Sequence, residues 1–200
     1  MSDAAVTGTA LTSERVLEAA EDVLRRYGPA KATVVDVARA LGVSHGSVYR
    51  HFPSKAALRD AVTERWLARV SQPLAEVAAS DDPAPERLRR WLDLLSATKR
   101  SKALDDPEMF ATYMELVAGA REVVAAHVDE LAAQLGRIVA DGVERGEFES
   151  ADPAAAGRAV LDATARFHNP AHASEWADPG IDEAFERVWV LLLDGLRPRG

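Results

Sequence analysis

Apolar residues recur along this chain at intervals of three and four, and nowhere in the strict alternation that a half-buried strand requires. Val16, Leu17, Ala20, Val23 and Leu24 share one face of a first helix, which Thr12 or Ser13 is placed to cap and Tyr27-Gly28-Pro29 to stop. Thr33, with Asp36 three residues on, makes a short-armed capping box for a second helix that Leu41-Gly42 closes after about two turns. Ser44 caps a short third helix ending near Phe52-Pro53, and Ser54 caps a fourth running to about Ala79, with Pro73 expected to kink or break it. Three Asp-Pro pairs then read as helix starts, because the carboxylate caps while proline at the first helical position gives up no needed N–H. They open helices from Asp82-Pro83 to about Lys99, from Asp106-Pro107 to about Ala118 and from Asp152-Pro153 to about Phe167. A long amphipathic helix from Arg121 to Gly146 lies between the last two, and Ile181 to Leu196 forms the final one. The segment His168 to Gly180, with two prolines, reads as a loop. The expectation is an all-α fold of about nine helices: a flexible arm over residues 1–11, a small domain over 12–58 and a larger one over 59–200.

The apolar share of 48% supplies cores for both domains. The longest strongly apolar stretch, Val188 to Leu193, falls far short of the roughly 18 residues of a membrane span. The first dozen residues lack the charged start and apolar centre of a signal peptide, and without cysteine neither disulfides nor thiolate metal sites are available. A cytoplasmic protein with no membrane partner is expected. A net charge of −8 looks unsuited to nucleic acid until its distribution is read: residues 13–66 carry nine Lys/Arg against seven Asp/Glu, and residues 67–200 carry fifteen against twenty-four. The acid belongs to the C-terminal part.

The informative stretch is Thr33 to Leu58, TVVDVARALGVSHGSVYRHFPSKAAL. Two short helices are joined by Leu41-Gly42-Val43-Ser44, in which glycine supplies the left-handed turn and Val43 packs it onto the core: a helix-turn-helix. Val34, Val37, Ala38 and Leu41 face inward on the first helix, Val48 and Phe52 on the second. That leaves His45, Gly46, Ser47, Tyr49, Arg50 and His51 available to a DNA groove, with the capped N-terminus favouring phosphate.

The run GVSHGSVYRHFPSKAAL resembles the signature of the tetracycline-repressor-like (TetR) family of transcriptional regulators, a GVS-x-G-x-hydrophobic-Y-x-HF-x-[ST]-K-x-x-L pattern filled at nearly every position. The defined motif covers roughly residues 12–66; beyond it only helix count and lengths are similar. The resemblance implies that Thr33, Ser44, Tyr49, His51 and Lys55 contact phosphates, that Gly46 lets the backbone approach DNA, and that His45, Ser47 and Arg50 face base edges. It implies a repressor that binds a near-palindromic operator as a homodimer, through its last two long helices, and is released by a small molecule.

On that basis the segments Pro153 to Phe167 and Ile181 to Leu196 are the expected interface, with Ala155, Ala159, Val160, Ala163, Phe185, Val188, Trp189 and Leu192 as its apolar seam. Trp91, Phe110, Tyr113, Met114, Phe167, His168 and Trp176 lie on or beside helices that enclose the pocket in similar proteins, and suit an apolar or aromatic effector. Glu115 and Asp162, if buried, would instead favour a cationic guest. An alternative is a DNA-binding regulator without a small ligand, controlled by a protein partner or by abundance. An enzyme has little foothold: no phosphate-binding loop, nucleophile elbow or dinucleotide fingerprint is present. His168 and His172, with His127 as a third histidine, suit zinc only on a continuous helix, which Pro170 opposes, so neither metal nor cofactor is expected.

Overall fold

The computed structural model describes residues 10–198, so the expected N-terminal arm lies outside the described residues apart from its last two positions. Ten α-helices follow in order: α1 (Ser13–Lys31), α2 (Val34–Leu41), α3 (His45–Tyr49), α4 (Lys55–Ala78), α5 (Ala84–Asp105), α6 (Pro107–Gly119), α7 (Arg121–Glu144), α8 (Pro153–Ala163), α9 (Ala165–His168) and α10 (Ile181–Leu196), with a 3-10 helix at Pro170–Glu175. Among the described residues there is no strand, and no helix is long and apolar enough to cross a membrane. The chain forms two compact units divided at Thr63 and Glu64, inside α4.

In the first unit the caps sit where local chemistry puts them. Thr12 Oγ1 accepts from Arg15 N at 3.2 Å, and the Thr33–Asp36 capping box is complete in both directions. Tyr27-Gly28-Pro29 interrupts α1 rather than ending it. Gly28 takes φ 73°, which side-chain-bearing residues rarely adopt, and Pro29, with its φ preset, restarts one helical turn to Lys31. Val16, Ala20, Val23, Leu24, Val34, Val37, Ala38, Val48, Leu58 and Val62 close the core, while Leu41 and Phe52 remain half-buried at its margin.

The second unit is built around α5, α7 and α8, with Leu88, Leu92, Leu95, Leu135, Ile138 and Val139 almost fully enclosed. α7 and α8 meet backbone to backbone. A Cβ on Gly157 would lie 2.3 Å from Gly136 N and 2.7 Å from Gly136 Cα, so neither helix could keep its place with a larger residue there. Trp91 Nε1 donates to Gln134 Oε1 at 2.9 Å and Gln134 Nε2 donates to Ser71 O at 3.1 Å, a buried chain that ties α5 and α7 to the last turns of α4. Arg87, also buried, donates through Nη1 to Ala78 O and Asp141 Oδ2, each at 2.9 Å.

Several boundaries differ from the sequence reading, each for a tertiary reason. α4 continues through Pro73, because Val70 and Leu74 on either side are locked in the core and outweigh proline's helix penalty of about 3 kcal/mol. Asp82 does not cap α5. Arg90 and Ser80 hold its carboxylate, at 2.7 and 3.2 Å, and the first N–H of α5, on Ala84, donates to Glu147 Oε2 at 2.6 Å from across the unit. α5 runs past Lys99 to Asp105. The helix opened by Asp152 ends at Ala163, where Thr164 turns its hydroxyl onto Val160 O at 2.8 Å, and α9 resumes after it. The expected loop from His168 contains the 3-10 helix, capped by Asn169, whose Oδ1 accepts from Ala171 N at 3.0 Å.

Two histidines are buried in this unit. His168 Nε2 donates to Leu161 O at 3.2 Å, while among the described residues the buried His127 Nε2 has no hydrogen-bond partner. Burial, reinforced by the nearby charge of Lys99, pushes both down to about 4; at His168 the Leu161 carbonyl and the Asp162 charge oppose the shift without reversing it.

Two outcomes follow from this packing. Gly157→Ala is expected to destabilise the protein by on the order of 3 kcal/mol, because its methyl meets backbone that cannot rotate away; urea denaturation checks it, and an unchanged midpoint would refute the close contact. Between pH 6.5 and about 4 the unfolded chain takes up protons at His127 and His168 before the folded one does. The stability this represents is whole above pH 6.5 and is lost as pH falls toward 4, by up to about 3 kcal/mol per histidine. His168→Gln should therefore lose less stability than the parent between about pH 7 and pH 5.

Candidate functional site

Ser44 caps α3 by accepting from Ser47 N at 3.2 Å, and Gly42 takes the left-handed conformation, φ 68° and ψ 29°, that turns α2 into the linker. This turn sets the face of α3. Val48, fully buried, anchors the helix, so His45, Gly46, Tyr49 and Arg50 are exposed on the opposite side. Tyr49 keeps 42% of its surface exposed and meets the His45 ring edge-on at 6.4 Å. Arg50 Nη2 donates to Ser47 Oγ at 3.1 Å, and Ser47 Oγ lies 3.0 Å from Ser44 Oγ, forming a small polar relay along the helix. Thr33 and Lys55 are exposed at the starts of α2 and α4.

All nine residues expected to meet DNA thus belong to one compact unit, and seven of them are exposed. Ser47 and His51 are half-buried. His51 Nδ1 is 3.2 Å from Ser13 Oγ, so the first residue of α1 braces the end of the recognition segment. The sequence reading did not name Ser13 for this role, and nothing local could: the two residues are 38 positions apart.

The residues expected to line an effector pocket divide into two groups. Trp91, Phe167 and Trp176 are core: Trp91 is held by Gln134, Phe167 packs edge-on against Phe185 at 5.1 Å, and Trp176 Nε1 donates to Arg166 O at 2.9 Å. His168 is buried against Leu161 and Thr164, and His172, on the 3-10 helix, pairs instead with Glu175 at 2.8 Å. Phe110, Tyr113 and Met114 are half-buried on α6. There a row of rings runs from Trp66 through Tyr113 and Phe110 to Trp176, with centroids 6.4, 6.1 and 6.3 Å apart in turn.

The condition for a cationic guest, burial of Glu115 and Asp162, is not met. Glu115 and Asp162 are exposed, and Asp162 is engaged by Arg158 at 3.2 Å. Lys99, by contrast, is buried. It continues the stripe Leu88, Leu92, Leu95 on α5, a spacing of four, three and four that places it on the core face. Its Nζ lies 3.5 Å from Tyr113 Oη and 5.6 Å from that ring's centroid, and burial brings it down to about 8. Burial likewise pushes the Tyr113 hydroxyl up to about 12. A cavity of about 380 Å³ between α4 and α7 is walled by Leu67, Ala68, Val123, Ala126 and His127.

On α8 and α10 the expected seam is split. Val160 and Phe185 are buried in the chain's own core, and Val188, Trp189 and Leu192 are half-buried against it. Ala155, Ala159 and Ala163 are exposed on α8; on α10 the exposed apolar residues are Val190 and Leu191, the latter at 74%.

Residues 16–62 match the family described as bacterial regulatory proteins, tetR family, and residues 84–189, more than half of the chain, match the tetracyclin repressor-like C-terminal domain. An uncharacterised HTH-type transcriptional regulator of Mycobacterium tuberculosis is 32% identical over 127 residues, covering 59% of this chain and 60% of that protein. The chain thus spans about 60% of the length of the curated relatives it matches first. A solved structure describing the molecular basis for control of antibiotic production by bacterial hormones is 28% identical, with a TM-score of 0.61 over 93% of this chain and 97% of that one. SmeT, the repressor of the Stenotrophomonas maltophilia multidrug efflux pump SmeDEF, shares the fold at 20% identity, with a TM-score of 0.66 over 95% of this chain and 92% of that one. With both its helix-turn-helix and its C-terminal helices matched, the chain belongs to the TetR family of bacterial regulatory proteins.

Proposed function

We propose that this protein is a transcriptional repressor that binds a near-palindromic DNA operator as a homodimer and is released by a small molecule held in its larger unit. The observation that carries the DNA-binding part is the exposed face of α3: His45, Gly46, Tyr49 and Arg50 stand opposite a fully buried Val48, behind an N-terminus capped by Ser44. Small residues at that end admit the phosphate backbone, and the free N–H groups favour it. Thr33, Ser44, Tyr49, His51 and Lys55 are assigned to phosphates, and His45, Ser47 and Arg50 to base edges, with Arg50 suited to a guanine.

One such unit offers few base contacts, and a two-fold dimer doubles them. The exposed Val190 and Leu191 of α10, beside the exposed alanines of α8, supply an apolar face for a second copy. α4 begins at Lys55, next to the recognition segment, and continues as one helix to Ala78 in the larger unit. A ligand that displaces its second half thereby moves its first. Recognition helices about 34–36 Å apart fit successive major grooves, so a shift of a few ångströms weakens both half-sites together. A complete switch requires the ligand to favour the released state by about 5.5 kcal/mol. Restraint by a protein partner instead would leave operator binding indifferent to every small molecule tested.

DNA from upstream of the protein's own gene, titrated by fluorescence anisotropy at two salt concentrations, tests the reading. Wild type should bind saturably and more weakly at high salt, whereas Tyr49→Ala combined with Lys55→Ala should lose at least about tenfold in affinity and flatten the salt dependence. Equal binding by both would remove those residues from the interface. Arg50→Ala should relax preference at one base pair by about 1–3 kcal/mol. Leu191→Asp is expected to convert a dimer to a monomer in analytical ultracentrifugation and to weaken operator binding with it; a variant that stays dimeric places the interface elsewhere.

A further inference from the structure

We propose that the larger unit contains a binding site for an organic carboxylate with an apolar body, in which Lys99 is the counter-ion and Tyr113 and His127 are hydrogen-bond donors. The inference deepens, and rests on, the effector-release part of the reading above. Its foundation is a cation without an anion. Lys99 is only 6% exposed, and its recorded partners are the hydroxyl and ring of Tyr113. A buried ammonium without a carboxylate is costly, and retaining it across a well-packed helix stripe is explained by a negative group that arrives with a ligand. The second observation is independent of the lysine. His127 Nε2, on a different helix, is buried without a hydrogen-bond partner among the described residues. A neutral imidazole can present N–H there, and a carboxylate oxygen would satisfy it.

The charges around the lysine leave this region positive. The charge of Lys99 reaches both His127 on α7 and His168 on α9, and Lys102 on its own helix adds to the positive side. Asp162, an acid whose charge acts on His168, is exposed and engaged by Arg158. Glu64, Glu122 and Glu130 border the cavity that His127 lines, but they too are exposed. Solvated rim charges are screened, whereas the buried ammonium is not. His127 also lines a cavity of about 380 Å³, a volume within the range of small-molecule sites. The apolar body is indicated by the row of rings from Trp66 on α4 through Tyr113 to Phe110 on α6, whose middle member, Tyr113, lies against the ammonium.

The test uses the full-length protein with decanoate and 4-phenylbutyrate, each beside the alcohol and amine of the same skeleton, in calorimetric titration and thermal denaturation. Wild type should bind the carboxylates at least about tenfold more tightly than the alcohols, since tenfold is the effect of one modest charge-assisted contact. Lys99→Met should abolish that preference, bringing the carboxylates down to the affinity of the alcohols, and its ligand-free Tm should rise by about 2–4 °C because an unpaired buried charge is gone. Lys99→Gln, closer in polarity, gives the same readout should the methionine pack badly. Alcohols or amines that bind wild type as tightly as the carboxylates, carboxylate affinity unchanged in both lysine variants, or no binding by either carboxylate would each overturn the proposal. Carboxylate binding that leaves operator binding unaltered supports the anion site and overturns the release reading instead. Operator binding released by a neutral ligand, without carboxylate preference, does the reverse.

Discussion

The close approach of α7 and α8 at Gly136 and Gly157 is the constraint on which the larger unit depends. With no Cβ between them, the two helices share an interface in which main chain meets main chain, and dispersion contacts replace the side chains that would otherwise hold them apart. That contact fixes α7, and α7 carries Gln134 toward Trp91, Asp141 toward Arg87 and His127 into the cavity wall. It equally fixes which side of α8 looks outward, leaving Ala155, Ala159 and Ala163 for another surface.

Polar groups buried in this unit fall into two kinds. Gln134 and Thr164 are satisfied by neighbouring side chains and carbonyls, so they specify the packing of α4, α5, α7 and α8. Lys99 and His127 lack adequate partners. Such groups cost stability, and a carboxylate ligand would satisfy both. Among the described residues of the first unit no such conflict is found: its caps at Thr12, Thr33 and Ser44 are all made.

Local chemistry made the helix-turn-helix legible. Thr33, Asp36, Gly42, Ser44 and Ser54 act over three or four residues, so their roles are readable without knowing what packs against them. The inward positions Val34, Val37, Ala38 and Val48 follow from helical period alone. Where the reading failed, the deciding partner was distant in sequence. Asp82 was read as a cap, but Arg90 competes for it and Glu147, 63 residues from Ala84, supplies the cap. Proline at position 73 was expected to kink or break the fourth helix, and it does not break it, because the core around Val70 and Leu74 holds the helix.

The sequence by itself determined the all-α class, the positions of most helix starts, the helix-turn-helix and the outward placing of His45, Gly46, Tyr49 and Arg50, because each rests on periodicity or on a hydrogen bond closed within one turn. Only the tertiary structure decided which aromatic residues became core, that Ser13 braces His51, and that the carboxylates Glu115 and Asp162 stay in water while Lys99 is enclosed. The stripe of Leu88, Leu92 and Leu95 points to the burial of Lys99. Whether an acid waits there to pair with it depends on α6, α7 and α9 arriving from elsewhere in the chain, and burial of a charge is settled by everything that surrounds it.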